Sequence, residues 1–284
     1  NRHMDYIEVT INLTPRMPWS DILIAELADL GFESFVETPT GIQAYAPTTI
    51  GNVAEMLQQT SLADAQDVTV EVATSIIAHQ NWNAQWEADF EPVIVDDRLA
   101  ILAPFHDESA FENQHKIIIQ PQMSFGTGHH QTTFLMSQFL MDLVPIPQKI
   151  LDMGTGTGVL AILAEKKGCN DIVAVDIEPW SVENTIENAA RNQCVHITAL
   201  EGDVDCLTGR KFDMILANIN KNILKAHLPA YAQLLEENGL LYLSGFFFSD
   251  VTELTEEAAK SGFKVLEVRE KETWAAIQLQ KKQN

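Results

Sequence analysis

Cysteine pairs, basic residues and long apolar runs are scarce in this sequence of 284 residues, and each scarcity excludes a class of protein. The three cysteines (Cys169, Cys194 and Cys206) share no metal-ligand or redox spacing. We therefore expect free thiols in a cytoplasmic protein, and no metal site. No apolar run approaches the ~20 residues that a membrane-spanning helix needs, so no membrane association is expected. The polar, acidic start indicates no signal peptide, and residues 1–3 before Met4 are interpreted as a tag remnant.

Positive charge is the scarcest feature, because 40 acidic residues face 18 basic ones and the net charge is −22. A chain this acidic gains nothing from releasing the counterions of nucleic acid, so we expect no direct nucleic-acid binding. Residues 5–90 hold 13 of the acidic residues and one basic residue, Arg16. This concentration indicates a separate N-terminal domain that attracts a basic partner. The alternative is that the acidity only aids solubility.

The acidic N-terminal region alternates between strand and helix patterns. The segments "YIEVTINLT" and "DVTVEVATSI" predict strands, "WSDILIAELADLG" and "IGNVAEMLQQT" predict helices, and "SFVETPTGIQAYAP" predicts a hairpin. The order β-α-β-β-α-β is the ferredoxin-like order, and we assign it to residues 4–78. RNA-binding modules share this order, but their aromatic stacking motif is absent and the charge has the wrong sign. We therefore predict a domain that recognises a protein substrate.

A connector is predicted between this domain and the rest of the chain, over residues 79–114. The segment "NWNAQWEADF" places Trp82, Trp86 and Phe90 four residues apart, which is typical of a helix that packs on a neighbouring domain. The segment "VIVDDRLAIL" then predicts a hairpin around Asp96 and Asp97, and "HKIIIQP" predicts a strand.

The remaining residues, 115–284, are predicted to form an α/β domain. From Lys149 onward strand patterns alternate with helical ones, which is typical of a doubly wound Rossmann-like sheet. Only Lys-Glu separates the last two strand candidates, so we expect them to pair as an antiparallel hairpin. The seven strand candidates are "KILDM", "DIVAVDI", "HITAL", "FDMILAN", "GLLYLSG", "FKVLEVRE" and "TWAAIQLQ".

A glycine loop follows the first of these strands in "LDMGTGTGVLAI". Gly154, Gly156 and Gly158 allow a ligand to approach the backbone at the start of a helix. The third glycine comes one residue earlier than in the dinucleotide pattern G-x-G-x-x-G, which disfavours an NAD-dependent oxidoreductase. Asp176 ends the next strand, where such sheets place a carboxylate against a ribose diol; the alternative is a helix cap or turn residue.

Asp152, two residues before the first glycine, is suited to the positive end of a zwitterion, directly or through water. S-adenosylmethionine carries an ammonium group and a ribose diol but no phosphate. The pattern D-x-G-x-G-x-G with a strand-end acid therefore resembles the first two motifs of the Rossmann-like methyltransferases.

Four segments together resemble a narrower family, the PrmA methyltransferases of ribosomal protein L11. They are "QPQMSFGTGHHQTT", "LDMGTGTGVLAI", "AVDIEP" and "ANIN". The resemblance is strong over residues 115–280, and in the N-terminal half it covers only the domain order and the Trp-containing connector. It implies S-adenosylmethionine as the cofactor.

The resemblance also implies the site residues. Thr133 would contact the cofactor from the upstream helix, Asp176 would bind the ribose, and Asp203 would lie near the adenine. Asn218 would lie beside the reactive methyl group; the alternative is that it only caps the next helix. A loop over the cofactor and the glycines beneath it supply the other contacts: Phe125, Thr127, Gly128 and His129, and Gly154, Gly156 and Gly158.

The implied reaction is methylation of lysine side chains and the N-terminal α-amine of ribosomal protein L11 by a cytoplasmic monomer. Asn218 would orient the amine, and His129 is the candidate base, although His129 and His130 can also be interpreted as exposed loop residues. The sequence "ANIN" differs from Asn-Pro-Pro-Tyr, which argues against a glutamine or DNA-base substrate. Two alternatives stay open: a methyltransferase of another protein or small molecule, and a non-catalytic ribosome-associated binding module.

Overall fold

The structure is a computed structural model, and it describes residues 5–77, 90–121 and 129–283, with only the backbone described for His129. The described residues fall into two compact units. The first ends at Glu91, and the second contains Pro92–Pro121 and residues 129–283. Residues 92–114, which we predicted as part of the connector, therefore belong to the second unit. Trp82 and Trp86 of the predicted helical connector lie outside the described residues.

The first unit has the element order β-α-β-β-α-β that the sequence predicts. Its strands form one antiparallel sheet in the order β2-β3-β1-β4, so β1 pairs with both β3 and β4. The elements are β1 (Tyr6–Thr14), α1 (Trp19–Asp29), β2 (Ser34–Thr38), β3 (Gly41–Pro47), α2 (Val53–Leu57) and β4 (Thr69–Ile77).

The core of the first unit lies on one face of this sheet. Alternate residues of β1 (Val9, Ile11 and Leu13) are buried, and they pack with Leu23 and Leu27, which lie one turn apart on α1. The residues of β1 between them are polar and partly exposed. The sheet therefore has an apolar face against the helices and a polar face on the opposite side.

The second unit contains a three-stranded sheet, β5-β6-β7, and a seven-stranded sheet, β10-β9-β8-β11-β12-β14-β13. Its strands are β5 (Val93–Val95), β6 (Leu99–Leu102), β7 (His115–Ile118), β8 (Ile150–Met153), β9 (Ile172–Asp176), β10 (Ile197–Glu201), β11 (Phe212–Asn218), β12 (Leu235–Phe247), β13 (Phe263–Lys271) and β14 (Trp274–Lys281). Its helices are α3 (His129–Asp142), α4 (Val159–Lys166), α5 (Pro179–Arg191), α6 (Lys221–Leu234) and α7 (Val251–Lys260).

All seven predicted strands are present in the large sheet, and the first five lie parallel. The chain runs outward from β8 to β10 and then returns to β11 on the other side of β8. In open α/β sheets, ligands bind at such a switch point, outside the carboxyl ends of the strands. Helices α3 and α4 pack on one face of the sheet and α6 and α7 on the other, so the sheet is doubly wound.

Two tight hairpins are also predicted from the sequence and present. Asp96 and Asp97, with φ angles of 50° and 55°, are the central residues of the turn between β5 and β6, which the hydrogen bond from the N–H of Arg98 to the carbonyl of Val95 closes. Glu272 and Thr273 join β13 to β14 with φ angles of 49° and 75°. Positive φ at both central residues is typical of two-residue hairpin turns, because their twist matches that of the strands. The second turn lies one residue later than the predicted Lys-Glu pair. Among the helices in the described part of the chain, none is long and apolar enough to span a membrane.

Candidate active site

The glycine loop joins β8 to α4 at the switch point of the large sheet. Gly154, Gly156 and Gly158 have φ angles of 74°, 59° and 85°, a region that side chains disfavour. A Cβ atom on Gly154 would lie 2.2 Å from Ile219, and one on Gly158 would lie 2.8 Å from Thr185. A Cβ atom on Gly156 would meet nothing within 4 Å. Two of the glycines therefore allow close packing, whereas Gly156 leaves open space above its backbone.

Asp176, at the end of β9, lies against this loop. The side chain is 8 % exposed, and its two carboxylate oxygens accept hydrogen bonds of 3.0 Å from the backbone N–H groups of Gly156 and Glu178. Each carboxylate oxygen has two acceptor positions, so hydroxyl donors can still bind to it. The alternative that Asp176 is a turn residue and the prediction that it binds a diol are thus compatible.

Asp152 lies beneath the same loop and is almost completely buried. Burial raises the pKa of its carboxyl group to about 7, although hydrogen bonds from Thr155 and from the backbone of Ala161 oppose the shift. The hydroxyl of Thr155 donates to Oδ2 of Asp152 over 2.8 Å. Asp152 therefore stabilises the glycine loop through its hydrogen bond with Thr155, a role that was not predicted from the sequence. Its contact with a zwitterion stays a prediction.

Asn218 ends β11 beside the loop and is tied to the first turn of α3. Its Nδ2 donates to the hydroxyl oxygen of Thr132 over 3.2 Å. The alternative that Asn218 only caps the next helix is wrong, because the N-cap of α6 is Asn220, whose side chain accepts from the backbone N–H of Asn222. The next residue of α3, Thr133, is 1 % exposed, and its hydroxyl oxygen has no hydrogen-bond partner among the described residues. A buried polar atom of this kind is costly unless a ligand completes it.

Gly245 of β12 brings the turn after β11 close to the sheet. The backbone N–H of Ile219 donates to the carbonyl of Ser244, and a Cβ atom on Gly245 would lie 2.4 Å from the carbonyl oxygen of Ile219. Ile219 in turn lies against Gly154. Gly245 is not predictable from the sequence, because nothing in "LYLSGFF" shows which backbone approaches it.

The buried face of α5 carries polar side chains. Their role in the site was not predicted from the sequence. Asn188 donates through Nδ2 to the carbonyls of Thr157 (2.8 Å) and Gln120 (3.3 Å), and its Oδ1 accepts from the N–H of Gln120. Thr185 donates to the carbonyl of Gly156 over 3.0 Å. Helix α5 therefore holds the glycine loop and the chain after β7 together. A polar stripe at Asn184, Asn188 and Asn192, four residues apart, was the available signal.

The remaining predicted residues are placed as follows. Asp203 is exposed and caps the short turn Val204–Leu207 by accepting from the N–H of Asp205. His130 is not an exposed loop residue, because it lies in α3 with its Nε2 bonded to the carbonyl of Pro92 over 2.9 Å. The side chain of His129 is not described, and three further predicted residues lie outside the described residues: Phe125, Thr127 and Gly128.

Together, the sheet order, the glycine loop at the switch point and the acid on the neighbouring strand define a class I, Rossmann-like methyltransferase. The comparisons with known proteins give the family. The family model for ribosomal protein L11 methyltransferase (PrmA) matches residues 20–282, and the chain belongs to this family.

Two similar proteins match nearly all of the chain, and a similar solved structure matches about two thirds of it. A ribosomal protein L11 methyltransferase of Phocaeicola vulgatus is 39% identical over 277 residues, covering 96% of this chain and 98% of the relative. One from Porphyromonas gingivalis is 41% identical over 262 residues, covering 90% and 89%. The crystal structure of a ribosomal protein L11 methylase from Lactobacillus delbrueckii subsp. bulgaricus has 28% identity and a TM-score of 0.62, covering 68% of this chain and 99% of that one. The protein is therefore a methyltransferase that uses S-adenosylmethionine.

Proposed function

We propose that this methyltransferase modifies amines of ribosomal protein L11, namely lysine side chains and the N-terminal α-amine. The relatives that match nearly the whole chain are named for this substrate, and they are 36–41% identical to it. The single observation that carries the assignment of the reaction centre is the hydrogen bond that ties Asn218 to α3 at the switch point of the sheet.

The buried groups around the loop fit S-adenosylmethionine. The unpartnered hydroxyl of Thr133 would bond a polar group of the cofactor, and the open space above Gly156 would admit the cofactor next to the backbone. Asp176, a fixed acceptor, would bind the ribose hydroxyls. We also retain as proposals the contacts of Gly154 and Gly158, of Asp203 near the adenine, and of the segment with Phe125, Thr127, Gly128 and His129.

Asn218 would orient the amine. Its Nδ2 is directed to Thr132, so the carbonyl end of the amide, Oδ1, is the acceptor that a substrate N–H would use. A neutral acceptor suits this task, because a carboxylate in the same place would favour the protonated amine. Holding a lysine amine of pKa ~10.4 neutral at pH 7 costs roughly 4.6 kcal/mol, which desolvation and a nearby positive charge both reduce.

When bound, S-adenosylmethionine supplies a methyl group on a positively charged sulfur, a leaving group that needs no further activation. Attack by the nitrogen lone pair would form the N–C bond as the S–C bond breaks, with the electrons of that bond left on sulfur. Positive charge would thus pass from sulfur to nitrogen, so the residues around Asn218 must accommodate a growing positive charge, and the nitrogen would then lose a proton to water or to His129. The task of the protein side chains is to position the two reactants.

We further propose that the first unit is a ferredoxin-like domain that docks the substrate protein. Its polar sheet face contains Glu8, whose carboxylate accepts from the phenol of Tyr45 over 2.9 Å. Glu71 faces Asn12 on the same side of the sheet. A cavity of about 380 Å³ lies there, and its lining includes Thr14 and Glu71 as well as Arg16, the one basic residue of this region. With 13 acidic residues and one basic residue over positions 5–90, this unit would attract a basic protein.

The test is mass spectrometry of ribosomal protein L11 after incubation with the full chain and S-adenosylmethionine. We expect added methyl groups that fragmentation places on lysine or α-amine nitrogens. Because Asn218 is proposed to lie beside the cofactor's methyl group as well as to orient the amine, the Asn218→Ala variant should still bind the cofactor measurably and lose most of this activity, whereas Asn222→Ala, a matched asparagine on α6, should retain it. Cofactor binding without any methylation of ribosomal protein L11 would favour a binding module or another substrate, and would contradict the proposal.

Monomeric state, cytoplasmic location and the absence of direct nucleic-acid binding remain predictions from the sequence.

A further inference from the structure

An aromatic pair lies at the carboxyl edge of the large sheet. Phe247, the last residue of β12, pairs in register with Trp274, the first residue of β14. Their ring centroids are 4.3 Å apart, with an angle of 36° between the ring planes. Both side chains are partly exposed, unlike Phe246, which is 2 % exposed. The pair therefore offers ring surface to solvent at an edge where strands end.

The register places this pair on the same face of the sheet as Asn218. Asn218 pairs with Ser244, and Ser244 pairs with Ala276, so these residues form one row across three strands. Trp274 precedes Ala276 by two residues, and side chains two apart point to the same face. Trp274 thus lies beyond the row of Asn218 in the direction of the carboxyl edge, where ligands of such sheets bind.

Helix α3 connects the two positions. Its first turn contains Thr132, which bonds Asn218, and Gln131, whose Nε2 donates to the carboxylate of Glu272 over 2.7 Å. Glu272 belongs to the turn that leads into Trp274. One turn further along α3, Phe134 lies under the ammonium group of Lys271, with Nζ 4.2 Å from the ring centroid. The same helix therefore fixes the amide of Asn218 and the turn that carries the aromatic pair.

We propose that Phe247 and Trp274 form the wall against which the amine-bearing side chain of the substrate lies as it reaches Asn218. This inference rests on the proposed amine substrate. The methylene chain of a lysine would pack on the rings, and aromatic faces attract cations without supplying a negative charge. That combination suits this reaction, because the amine must be neutral when it attacks and becomes positive as the methyl group arrives. Attraction that grows with the charge on nitrogen stabilises the transition state more than the bound reactant.

The wall also sets a chemical preference among acceptors. A carboxylate or amide acceptor would gain no cation attraction on methylation, whereas an amine that already carries a methyl group would still gain it. The site is therefore suited to an amine acceptor, because an amine is the acceptor that gains positive charge as it is methylated.

The test compares Trp274→Ala, Trp274→Phe and Phe247→Leu in the full chain, with ribosomal protein L11 as the methyl acceptor and calorimetry for cofactor binding. Trp274→Ala should lower kcat by about 3- to 30-fold, the range expected for loss of a cation–π contact, and leave the cofactor Kd within about twofold of the wild type. Trp274→Phe should recover most of the rate, because a smaller ring keeps the aromatic face. Phe247→Leu preserves apolar packing without the ring and should lower kcat in the same direction.

Phe105→Ala is the control, because Phe105 is an exposed aromatic residue in the turn after β6 whose ring contacts another ring, that of His106, edge-on. Wild-type kcat in Trp274→Ala and in Phe247→Leu would overturn the inference. So would a loss of rate that is equal in Trp274→Phe and Trp274→Ala. A wild-type enzyme that methylates no amine of ribosomal protein L11 would instead overturn the proposed function, so the two failures are distinguishable.

Discussion

The two units of the molecule differ in where they keep their polar groups. In the first unit the acidic residues outnumber basic ones by 13 to one over positions 5–90, and most of the acidic side chains among residues 5–77 are exposed. In the second unit several polar side chains are buried and bonded around one loop, among them Asp152, Asp176 and Asn188. Buried polar groups are retained only where hydrogen bonds compensate for lost solvation, and surface charge acts over a distance. The comparison supports the proposal that the second unit performs the chemistry and that the first recruits the substrate.

Two glycine substitutions, one in each unit, should differ most in their effect on cofactor binding. Gly154→Ala introduces a side chain at a φ of 74° and 2.2 Å from Ile219, so it should abolish measurable binding of S-adenosylmethionine in calorimetry. Gly41→Ala is the matched change in the first unit, where the new Cβ atom would lie 1.9 Å from the carbonyl of Ile11. It should destabilise the first unit and leave cofactor binding intact. Equal loss of binding in both variants would contradict the division of roles.

Loss of the acid at the end of β9 should have the next largest effect. Asp176→Ala removes the acceptor of the Gly156 and Glu178 N–H groups and the expected partner of the ribose. Cofactor affinity should fall at least tenfold, in line with ~1.5–3 kcal/mol for hydrogen bonds to a charged group. The control is Asp171→Ala, because Asp171 is an exposed aspartate immediately before the same strand, and this variant should bind the cofactor normally. Wild-type affinity in Asp176→Ala would refute its role in the site.

Loss of a polar side chain from the buried face of α5 should have a smaller effect on cofactor binding. Asn188→Ala removes the bonds to Thr157 and Gln120, and we expect the cofactor Kd to rise about 3- to 10-fold. Asn192 lies on the same face but bonds Ile118 and the backbone of Asn188, not the glycine loop. Asn192→Ala should therefore lower the thermal midpoint similarly and keep the wild-type Kd. A matching rise in Kd in both variants would show a general loss of folding instead of loop positioning.

The smallest effect concerns the pH dependence of stability. Burial raises the pKa of Asp152 from 3.8 to about 7, so the folded chain binds this proton more tightly than the unfolded chain. Its contribution to stability is therefore full below pH 3.8 and is lost as pH rises through about 7. Asp152→Asn should show a shallower fall in the thermal midpoint than the wild type as pH rises from 3.8 to about 7. Parallel midpoint curves would contradict the assignment.

The sequence predicts the strands of both units well, because alternation and helical spacing are local properties. The two hairpin turns are predictable because short polar pairs, such as Asp96 and Asp97, separate two strand patterns. So short a connection allows only a tight turn between paired strands. The glycine loop and Asp176 are predictable because strand, loop and next strand occur in a fixed order.

Features that depend on distant segments are not predictable in this way. Gly245 is constrained by the backbone of Ile219, and Asn188 by Gln120, 68 residues earlier in the chain. The stripe of asparagines on α5 has the spacing of a solvated helix face, and only packing shows that this face is buried. The sequence shows Asp152 as part of a motif, but its hydrogen bond with Thr155 is seen only in the folded structure.

The central claim, that the second unit binds the cofactor and the first recruits the substrate, is tested most directly by deleting residues 5–77. The measurement is the rate of methyl transfer to intact ribosomal protein L11, with the cofactor Kd determined on the same preparation. The account predicts a wild-type Kd for S-adenosylmethionine and no detectable methylation of the intact protein. Unchanged turnover of intact ribosomal protein L11 by the shortened chain would contradict it.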